Sequence, residues 1–292
     1  GADAELAMML ASLQVQLDTQ SAVAPRRRKL LVLDVNGLLL WRVFKKGQVD
    51  LAKLPPPDTT MGQFLIFARP HLREFLTWCA EHFYIIVWST TTRKNLDPIV
   101  KFAFEGLPPP SAVLDQTDCT DTGVLHPDDT DGSYKLRIKE LSKLWADARI
   151  QSALGSDYGP SDTILLDDSP YKAVANPEHT ALHPKEWAGP TYPDGEVNNA
   201  LGAGGAVRSV LQAVADAVDV RDVVRGLEAQ PDKERHWTSA TSDANLAHLH
   251  RAGWKPPTST SSSAAAVAEP EEEYEIEIHT TSGSYDAAAS AS

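Results

Sequence analysis

The chain has 292 residues, 42% hydrophobic and 23% charged, with a formal charge of −13 at pH 7. This composition supports one sizeable core with residues left for tails, and no segment approaches the roughly 20 apolar residues that a membrane span needs. The acidity argues against direct nucleic-acid binding, and the two cysteines, Cys79 and Cys119, imply no disulfide framework.

The first half of the chain predicts a strand, a hairpin and then alternating strands and helices. The apolar run 29–33 is expected to be a buried strand, and residues 38–44 and 49–51 flank Lys45-Lys46-Gly47 as a hairpin. The pattern then predicts a strand over 64–67, a helix after Arg69-Pro70, a strand over 83–88, and a helix capped by Thr91 or Thr92.

The second half is expected to begin with a polar, turn-rich segment over 115–134. A helix around 139–145, a strand over 163–166 and a last helix over 207–227 follow. Strands that alternate with helices predict a Rossmann-like α/β sandwich of three layers with a mainly parallel sheet. The 45 or so residues between the first two parallel strands leave room for a small hairpin flap but for no large cap domain.

Three domain segments are expected. Residues 1–25 form a weakly structured or helical N-terminal segment, residues 26–235 form the catalytic domain, and residues 236–292 form a low-complexity acidic tail. The tail is rich in Ser, Thr, Ala and Glu, and it cannot bury enough apolar surface to order itself.

Polar side chains follow three of the predicted strands. Asp34 ends the first strand, Ser89-Thr90-Thr91 end the second, and Asp167-Asp168 end the third. In an open parallel sheet, ligands bind beyond the carboxyl ends of the strands. Carboxylates and hydroxyls gathered there indicate a site for phosphate and a hard metal ion.

Each of these segments also has an ordinary structural explanation. Asp34 with Asn36-Gly37 is typical of a tight turn, and Ser89-Thr90 of a helix N-cap. Lys139, taken alone, is typical of a solvated lysine on a helix. Asp167-Asp168, taken alone, are equally typical of a turn and of a set of metal ligands. Their joint occurrence at one sheet edge favours the functional interpretation.

The motifs carry a resemblance. Asp34-Val35-Asn36-Gly37-Leu38 resembles the first motif of the haloacid-dehalogenase superfamily, Asp-x-Asp-x-(Thr/Val). Together with Arg69-Pro70, Lys139-Glu140-Leu141-Ser142 and Asp167-Asp168-Ser169-Pro170-Tyr171-Lys172-Ala173, it is similar to the RNA polymerase II C-terminal-domain phosphatases, or NLI-interacting-factor-like phosphatases. The sequence of the first motif, Asp-x-Asn-Gly-Leu, most resembles that of the plant and algal branch of the family.

The resemblance implies a Mg²⁺-dependent phosphatase that acts on a phosphorylated protein segment through an aspartyl-phosphate. Asp34 would be the nucleophile, and Mg²⁺ would be held by Asp34, the main-chain carbonyl of Asn36 and Asp168. The remaining roles implied are phosphoryl binding by Ser89, charge compensation by Lys139, orientation by Asp167, and substrate binding by Thr90 and Arg69.

Asn36 departs from the pattern, because active members of the family carry a second Asp that protonates the leaving oxygen. The alternative function is therefore a catalytically impaired pseudophosphatase that binds protein, as in the mitochondrial import-receptor branch. The expected compartment is the nucleus or cytoplasm, with the mitochondrion as the alternative. The basic run 26–29 is either a nuclear signal or surface charge.

Overall fold

The core of the protein is a five-stranded parallel sheet. The computed structural model describes residues 8, 27–46, 49–129, 132, 134–155, 157–190, 198–229 and 244–256. Across the sheet, the strands follow the order Ala181–Leu182 (β10), Thr163–Leu166 (β9), Lys29–Leu33 (β1), Phe83–Trp88 (β5) and Ala112–Leu114 (β6).

Helices cover both faces of this sheet. Leu31 and Leu33 of β1 join one buried cluster, to which four helices contribute: Leu72–His82 (α1), Arg93–Ala103 (α2), Ala206–Asp216 (α5) and Val220–Glu228 (α6). Leu30 and Val32 point the other way, into a second cluster with Leu141–Ala146 (α3) and Ala148–Ala153 (α4). Alternate residues of β1 are thus buried on both faces, and the predicted three-layer α/β sandwich is confirmed.

The strand register aligns the carboxyl ends of the three central strands. Leu33 of β1 is level with Val87 of β5 and with Leu166 of β9. The residues that follow these positions therefore emerge along one edge of the sheet.

A three-stranded antiparallel sheet lies between β1 and β5 in the chain. Leu40–Phe44 (β2) pairs with Phe64–Ala68 (β4), and β4 pairs with Thr59–Met61 (β3). The predicted pairing of 38–44 with 49–51 is wrong, since Leu51–Lys53 form a single 3-10 turn. β2 pairs instead with the longer apolar strand β4, because β4 offers aromatic partners. The ring centroids of Phe64 and Phe44, for example, lie 5.4 Å apart. The expected small flap is present, and the described residues contain no large cap domain.

Two further predictions about the second half need correction. The segment 115–134 contains the strand Thr120–Leu125 (β7), which pairs with Lys135–Ile138 (β8), so Lys139 follows a strand instead of lying in a helix. The single helix expected over 207–227 is split into α5 and α6. The Asp219 carboxylate caps α6 by accepting a hydrogen bond from the Arg221 amide, which starts a new helix at that point.

A C-terminal helix, Ala244–Arg251 (α7), corrects the expectation of a structureless tail from 236 onward. Leu246 and Leu249, spaced three residues apart, pack with Leu136 and Tyr171 in a separate apolar cluster. The predicted N-terminal segment, apart from residue 8, and residues 257–292 lie outside the described part of the chain. None of the described helices is long and apolar enough to cross a membrane.

Candidate functional site

Carboxylates converge where the central strands end. Asp34 follows β1, Asp167 and Asp168 follow β9, and one oxygen atom from each lies within 4.8 Å of the others. Asp34 is only 2% exposed and Asp167 is fully buried. The strand-end pattern therefore identifies side chains that the fold does bring together.

Two buried lysines bridge Asp34 and Asp167. The Nζ atom of Lys139 donates to Asp34 Oδ1 at 2.8 Å and to Asp167 Oδ2 at 2.6 Å. The Nζ atom of Lys172 donates to Asp34 Oδ2 and to Asp167 Oδ1, both at 3.0 Å. All four oxygen atoms of the two carboxylates are thus paired with an ammonium group.

The backbone holds both lysines in place. Lys172 belongs to a one-turn 3-10 helix, Pro170–Ala173, and its carbonyl accepts a hydrogen bond from the Lys139 amide at 2.8 Å. The Asn176 side chain donates to the Lys139 carbonyl at 2.9 Å. The end of β8 is therefore tied to the segment that follows β9.

The charges perturb one another strongly. Burial disfavours the ionised form of Asp167, but Lys139 and Lys172 outweigh it and hold the pKa of Asp167 well below its usual value. Burial likewise opposes the charge of Lys172, but Asp167 and Asp34 raise its pKa well above the ordinary lysine value. These groups are charged in the folded protein at neutral pH.

Asp168 is the carboxylate that the lysines do not compensate. Burial, followed by the charges of Asp167, Asp34 and Glu186, raises the pKa of Asp168 to about 8, against the opposing effect of Lys172. Its Oδ1 atom is buried and has no hydrogen-bond partner among the described residues. An orphaned carboxylate oxygen beside two further carboxylates fits a hard divalent cation.

A glycine makes room for Asp168. Gly37 has a φ of +78°, and a Cβ atom at this position would lie 2.4 Å from Asp168 Oδ2. Both the left-handed backbone and the close approach require glycine. The Asn36-Gly37 turn therefore serves the site as well as the chain reversal.

Asn36 lies at the exposed rim of the site. Its Oδ1 atom accepts a hydrogen bond from the Arg42 amide at 2.9 Å, which ties the turn to β2. The Arg42 guanidinium lies 4.6 Å from the centre of the Phe64 ring, and its Nη1 atom is buried without a hydrogen-bond partner among the described residues. Burial lowers the pKa of Arg42, and the nearby Asp34 opposes that shift.

A polar cavity of about 530 Å³ opens above these groups. Asp34, Asp168 and Lys172 contribute to its floor, and Arg42 to its wall. The rest of the lining consists of the Glu186 carboxylate and of hydroxyl and amide side chains, namely Asn36, Ser89, Thr90, Thr91, Thr92, Asn95, Gln116, Tyr134, Ser169, Tyr171 and Asn245. Donors without charge are suited to the oxygen atoms of a phosphate group.

Ser89 and Thr90 line the cavity as the strand-end pattern predicts. Ser89 is 3% exposed, and its Oγ atom accepts a hydrogen bond from the Thr91 amide at 3.3 Å. The hydroxyl hydrogen of Ser89 is therefore still available for donation. Lys139 and Asp167 lie behind Asp34 and do not line the cavity.

Arg69 does not line the cavity either. It is 4% exposed, and its guanidinium donates to the Leu38 carbonyl and to Asn198 Oδ1, both at 3.0 Å. These contacts hold the loop after β1 against the segment before α5. The placement argues against the predicted substrate-binding role and makes Arg69 a structural residue.

Three residues that contribute to the site received no role from the sequence. Lys172 stands in an apolar stretch, Pro170–Val174, where a buried charge has no periodic signature. Arg42 was part of the predicted flap, and Asn245 reaches the cavity from α7. The motif 167–173 includes Lys172, but the motif was interpreted through its aspartates alone.

The basic run before β1 is built into the fold at its described positions. Arg27 stacks on Tyr158 at 3.7 Å, and Arg28 stacks on Tyr84 at 4.6 Å from the ring centre. Lys29 is buried and pairs with Asp162 at 2.7 Å. Lys29 therefore does not fit the surface-charge prediction, and the nuclear signal stays a prediction.

The fold and site define an α/β protein with a strand-end aspartate, a lysine-supported acidic cluster and a polar cavity. The family model described as NLI interacting factor-like phosphatase matches residues 29–221. The match covers well over half of the chain, so this chain belongs to that family. The resemblance seen in the motifs is thereby confirmed at family level, whereas the placement in the plant and algal branch stays a prediction.

Two solved structures were found to be similar at low sequence identity. A variant of the fission yeast RNA polymerase II CTD phosphatase Fcp1 bound to beryllium fluoride has 13% identity and a TM-score of 0.36. A structure of Fcp1, an essential RNA polymerase II CTD phosphatase, has 13% identity and a TM-score of 0.33. Each match covers 86% of this chain, which spans 65% and 64% of the respective Fcp1 chains. No curated protein matches this sequence.

Proposed function

We propose that this chain is a Mg²⁺-dependent protein phosphatase that acts on phosphoserine or phosphothreonine, with Asp34 as the nucleophile. The observation that carries the proposal is the position of Asp34. Its carboxylate lies at a strand end on the floor of a polar cavity and is fixed by two buried ammonium groups. We place the catalytic unit at 27–229, completed by α7.

The proposed metal site consists of Asp34, Asp168 and the Asn36 carbonyl, with Asp167 close to it. The support is the cluster of three carboxylates and the unpartnered Oδ1 atom of Asp168. When bound there, Mg²⁺ would supply positive charge that compensates the phosphoryl oxygens and the carboxylates.

In the first step, an oxygen atom of Asp34 attacks phosphorus and the bond from phosphorus to the serine or threonine oxygen breaks, which leaves an aspartyl-phosphate. The departing oxygen takes its proton from solvent, because Asn36 cannot donate one. Lys139 and Lys172 hold the Asp34 carboxylate in position for this attack. Water then attacks the phosphorus of the intermediate, releases phosphate and restores the Asp34 carboxylate.

The phosphoryl oxygens require donors on the other side of the cavity. We assign this role to the Ser89 hydroxyl and to Thr90, both of which line the cavity. Arg42 replaces Arg69 as the candidate substrate-binding arginine, because its Nη1 atom is buried beside the cavity without a partner among the described residues.

The substrate class follows from the open cavity. The described residues between β1 and β5 form the three-stranded flap, the 3-10 turn Leu51–Lys53 and α1, which leave the cavity open to a phosphorylated protein segment. The net charge of −13 disfavours nucleic acid as a partner.

The experiment measures phosphate release from a phosphoserine peptide and from para-nitrophenyl phosphate, with Mg²⁺ and with EDTA. The proposal expects Mg²⁺-dependent release that Asp34→Asn abolishes. Asp121→Asn is the matched control, since Asp121 pairs with Lys135 at the surface outside the cavity. Equal activity in Asp34→Asn and wild type would refute the assignment of the nucleophile.

A second candidate function, a phosphopeptide-binding module, is favoured by one observation. Asn36 cannot exchange a proton, and its Oδ1 atom is committed to the Arg42 amide. Tight binding of a phosphoserine peptide without turnover of either substrate would select this function.

A further inference from the structure

We propose that Lys172 is a fixed counter-cation of the proposed metal site. Its ammonium group neutralises part of the negative charge of the carboxylates and thereby weakens their binding of Mg²⁺. The inference rests on the metal site of the proposed function and deepens it, because it names the residue that sets the metal affinity. Neither the family match nor the motif pattern assigns a role to this lysine.

The geometry shows how the two cations compete. Lys172 Nζ lies 3.0 Å from an oxygen of Asp34 and 3.0 Å from an oxygen of Asp167. Lys139 takes the remaining oxygen of each carboxylate. A metal ion that binds Asp34 must therefore share an oxygen atom with an ammonium group or displace it.

Lys172 cannot easily withdraw. Its side chain is 9% exposed, its amide donates to the Ser169 carbonyl at 3.1 Å, and its carbonyl accepts from the Lys139 amide. The neighbouring Tyr171 is anchored in the apolar cluster with Leu246. The backbone of the 3-10 turn is therefore fixed, and only a rotamer change of the Lys172 side chain could take the ammonium away from the carboxylates.

The charge balance gives the direction of the effect. Asp34, Asp167 and Asp168 contribute three negative charges when ionised, and Lys139 and Lys172 contribute two positive ones. With all three carboxylates ionised, as Mg²⁺ binding requires, the net charge of these five groups is −1; with a single lysine it would be −2, the charge that Mg²⁺ neutralises. A positive charge about 5 Å from a divalent cation weakens its binding about tenfold or more, even when solvent screens the pair.

The test is the Mg²⁺ affinity of full-length wild type, Lys172→Met and Lys29→Met, measured by isothermal titration calorimetry without substrate. Lys29→Met is the matched control, because it removes a buried lysine–aspartate pair at the opposite end of β1. We expect Lys172→Met to bind Mg²⁺ about tenfold more tightly or better, and Lys29→Met to bind it as wild type does. Equal or weaker affinity in Lys172→Met, or no Mg²⁺ binding by any of the proteins, would overturn the inference.

A second measurement is needed because Lys172→Met leaves the buried carboxylates with one cation fewer and can destabilise the protein. Lys172→Gln keeps donors without the charge, and the rise in melting temperature with Mg²⁺ can be followed in all proteins. The inference expects a larger rise in both Lys172 variants than in wild type, and an equal rise would overturn it. Neither the calorimetry nor the melting temperature depends on turnover. If wild type is inactive but the Lys172 variants bind Mg²⁺ more tightly, the phosphatase proposal is refuted and the inference about Lys172 stands.

Discussion

Asn36→Asp restores the acid that the first motif of the family carries, and it offers a quantitative prediction. Asn36 is exposed at the cavity rim, and its Oδ1 atom accepts from the Arg42 amide at 2.9 Å. An aspartate can keep this hydrogen bond through one oxygen atom. Its second oxygen, when protonated, can donate to the oxygen that leaves from phosphorus.

The magnitude combines a gain and a loss. General acid–base catalysis contributes about 10²–10⁴-fold. The new negative charge repels the phosphate, and for a solvent-exposed group a few ångströms away this costs about 1 kcal/mol, or roughly fivefold. The net expectation is a gain of about 10²-fold in kcat/KM for a phosphoserine peptide. The gain for para-nitrophenyl phosphate should be smaller, because a nitrophenolate leaves without protonation.

The assay measures both substrates with wild type, Asn36→Asp and Asn95→Asp at several pH values. Asn95 also lines the cavity, so Asn95→Asp introduces a charge there without supplying the acid. It should leave the phosphoserine rate unchanged or lower it. Equal gains on both substrates in Asn36→Asp would refute proton transfer as the cause, and no gain on either would favour the binding module.

Further predictions concern the nucleophile, the metal site, α7 and a helix cap. Asp34→Asn should abolish phosphatase activity with an unchanged far-UV circular dichroism spectrum, and residual wild-type turnover would contradict this. Asp168→Ala should weaken Mg²⁺ binding in calorimetry, because it removes a cavity-facing carboxylate; unchanged affinity would count against its role as a ligand. Deletion of 244–292 should lower the melting temperature and the rate of phosphate release from a phosphopeptide, because α7 covers an apolar cluster and reaches the cavity. An unaltered melting curve would show that the packing of α7 is dispensable. Asp219→Ala should cost about 1 kcal/mol of unfolding free energy at pH 7 in urea titrations. The Arg221 guanidinium, which donates to the Asp219 carboxylate, lowers the pKa of Asp219. The loss should therefore be full above pH 4–5 or so and should vanish as the pH falls through the lowered pKa, and a pH-independent difference would refute the ionic cap.

The sequence predicts the parts of the site that depend on local signals. Asp34 directly follows a short apolar run and Asp168 comes two residues after another, and a run of this kind between turn residues is typical of a buried strand in a parallel sheet. Once the strands are parallel, their carboxyl ends must share one edge. The three-layer fold and the convergence of these carboxylates therefore follow from pattern alone.

The parts that depend on packing over long sequence distances could not be predicted in the same way. Lys172 reaches Asp34 only because its 3-10 turn docks on the end of β8. The partner of β2 was misassigned because aromatic contacts across the flap, not turn residues, decide the pairing. Arg69 was predicted to bind substrate because its sequence neighbours give no sign of its contact with Asn198, which lies 129 residues away in the chain.

The central claim is that Asp34 is the phosphoryl acceptor, and beryllium trifluoride tests it most directly, because it mimics an aspartyl-phosphate. A crystal soaked with beryllium trifluoride and Mg²⁺ should show the mimic bound to an oxygen of Asp34, with Ser89 and Thr90 in contact with its fluorines and the metal ion beside Asp168. Density for the mimic on another residue, or a bare Asp34 carboxylate still paired with Lys139 and Lys172 at saturating concentrations, would contradict the account.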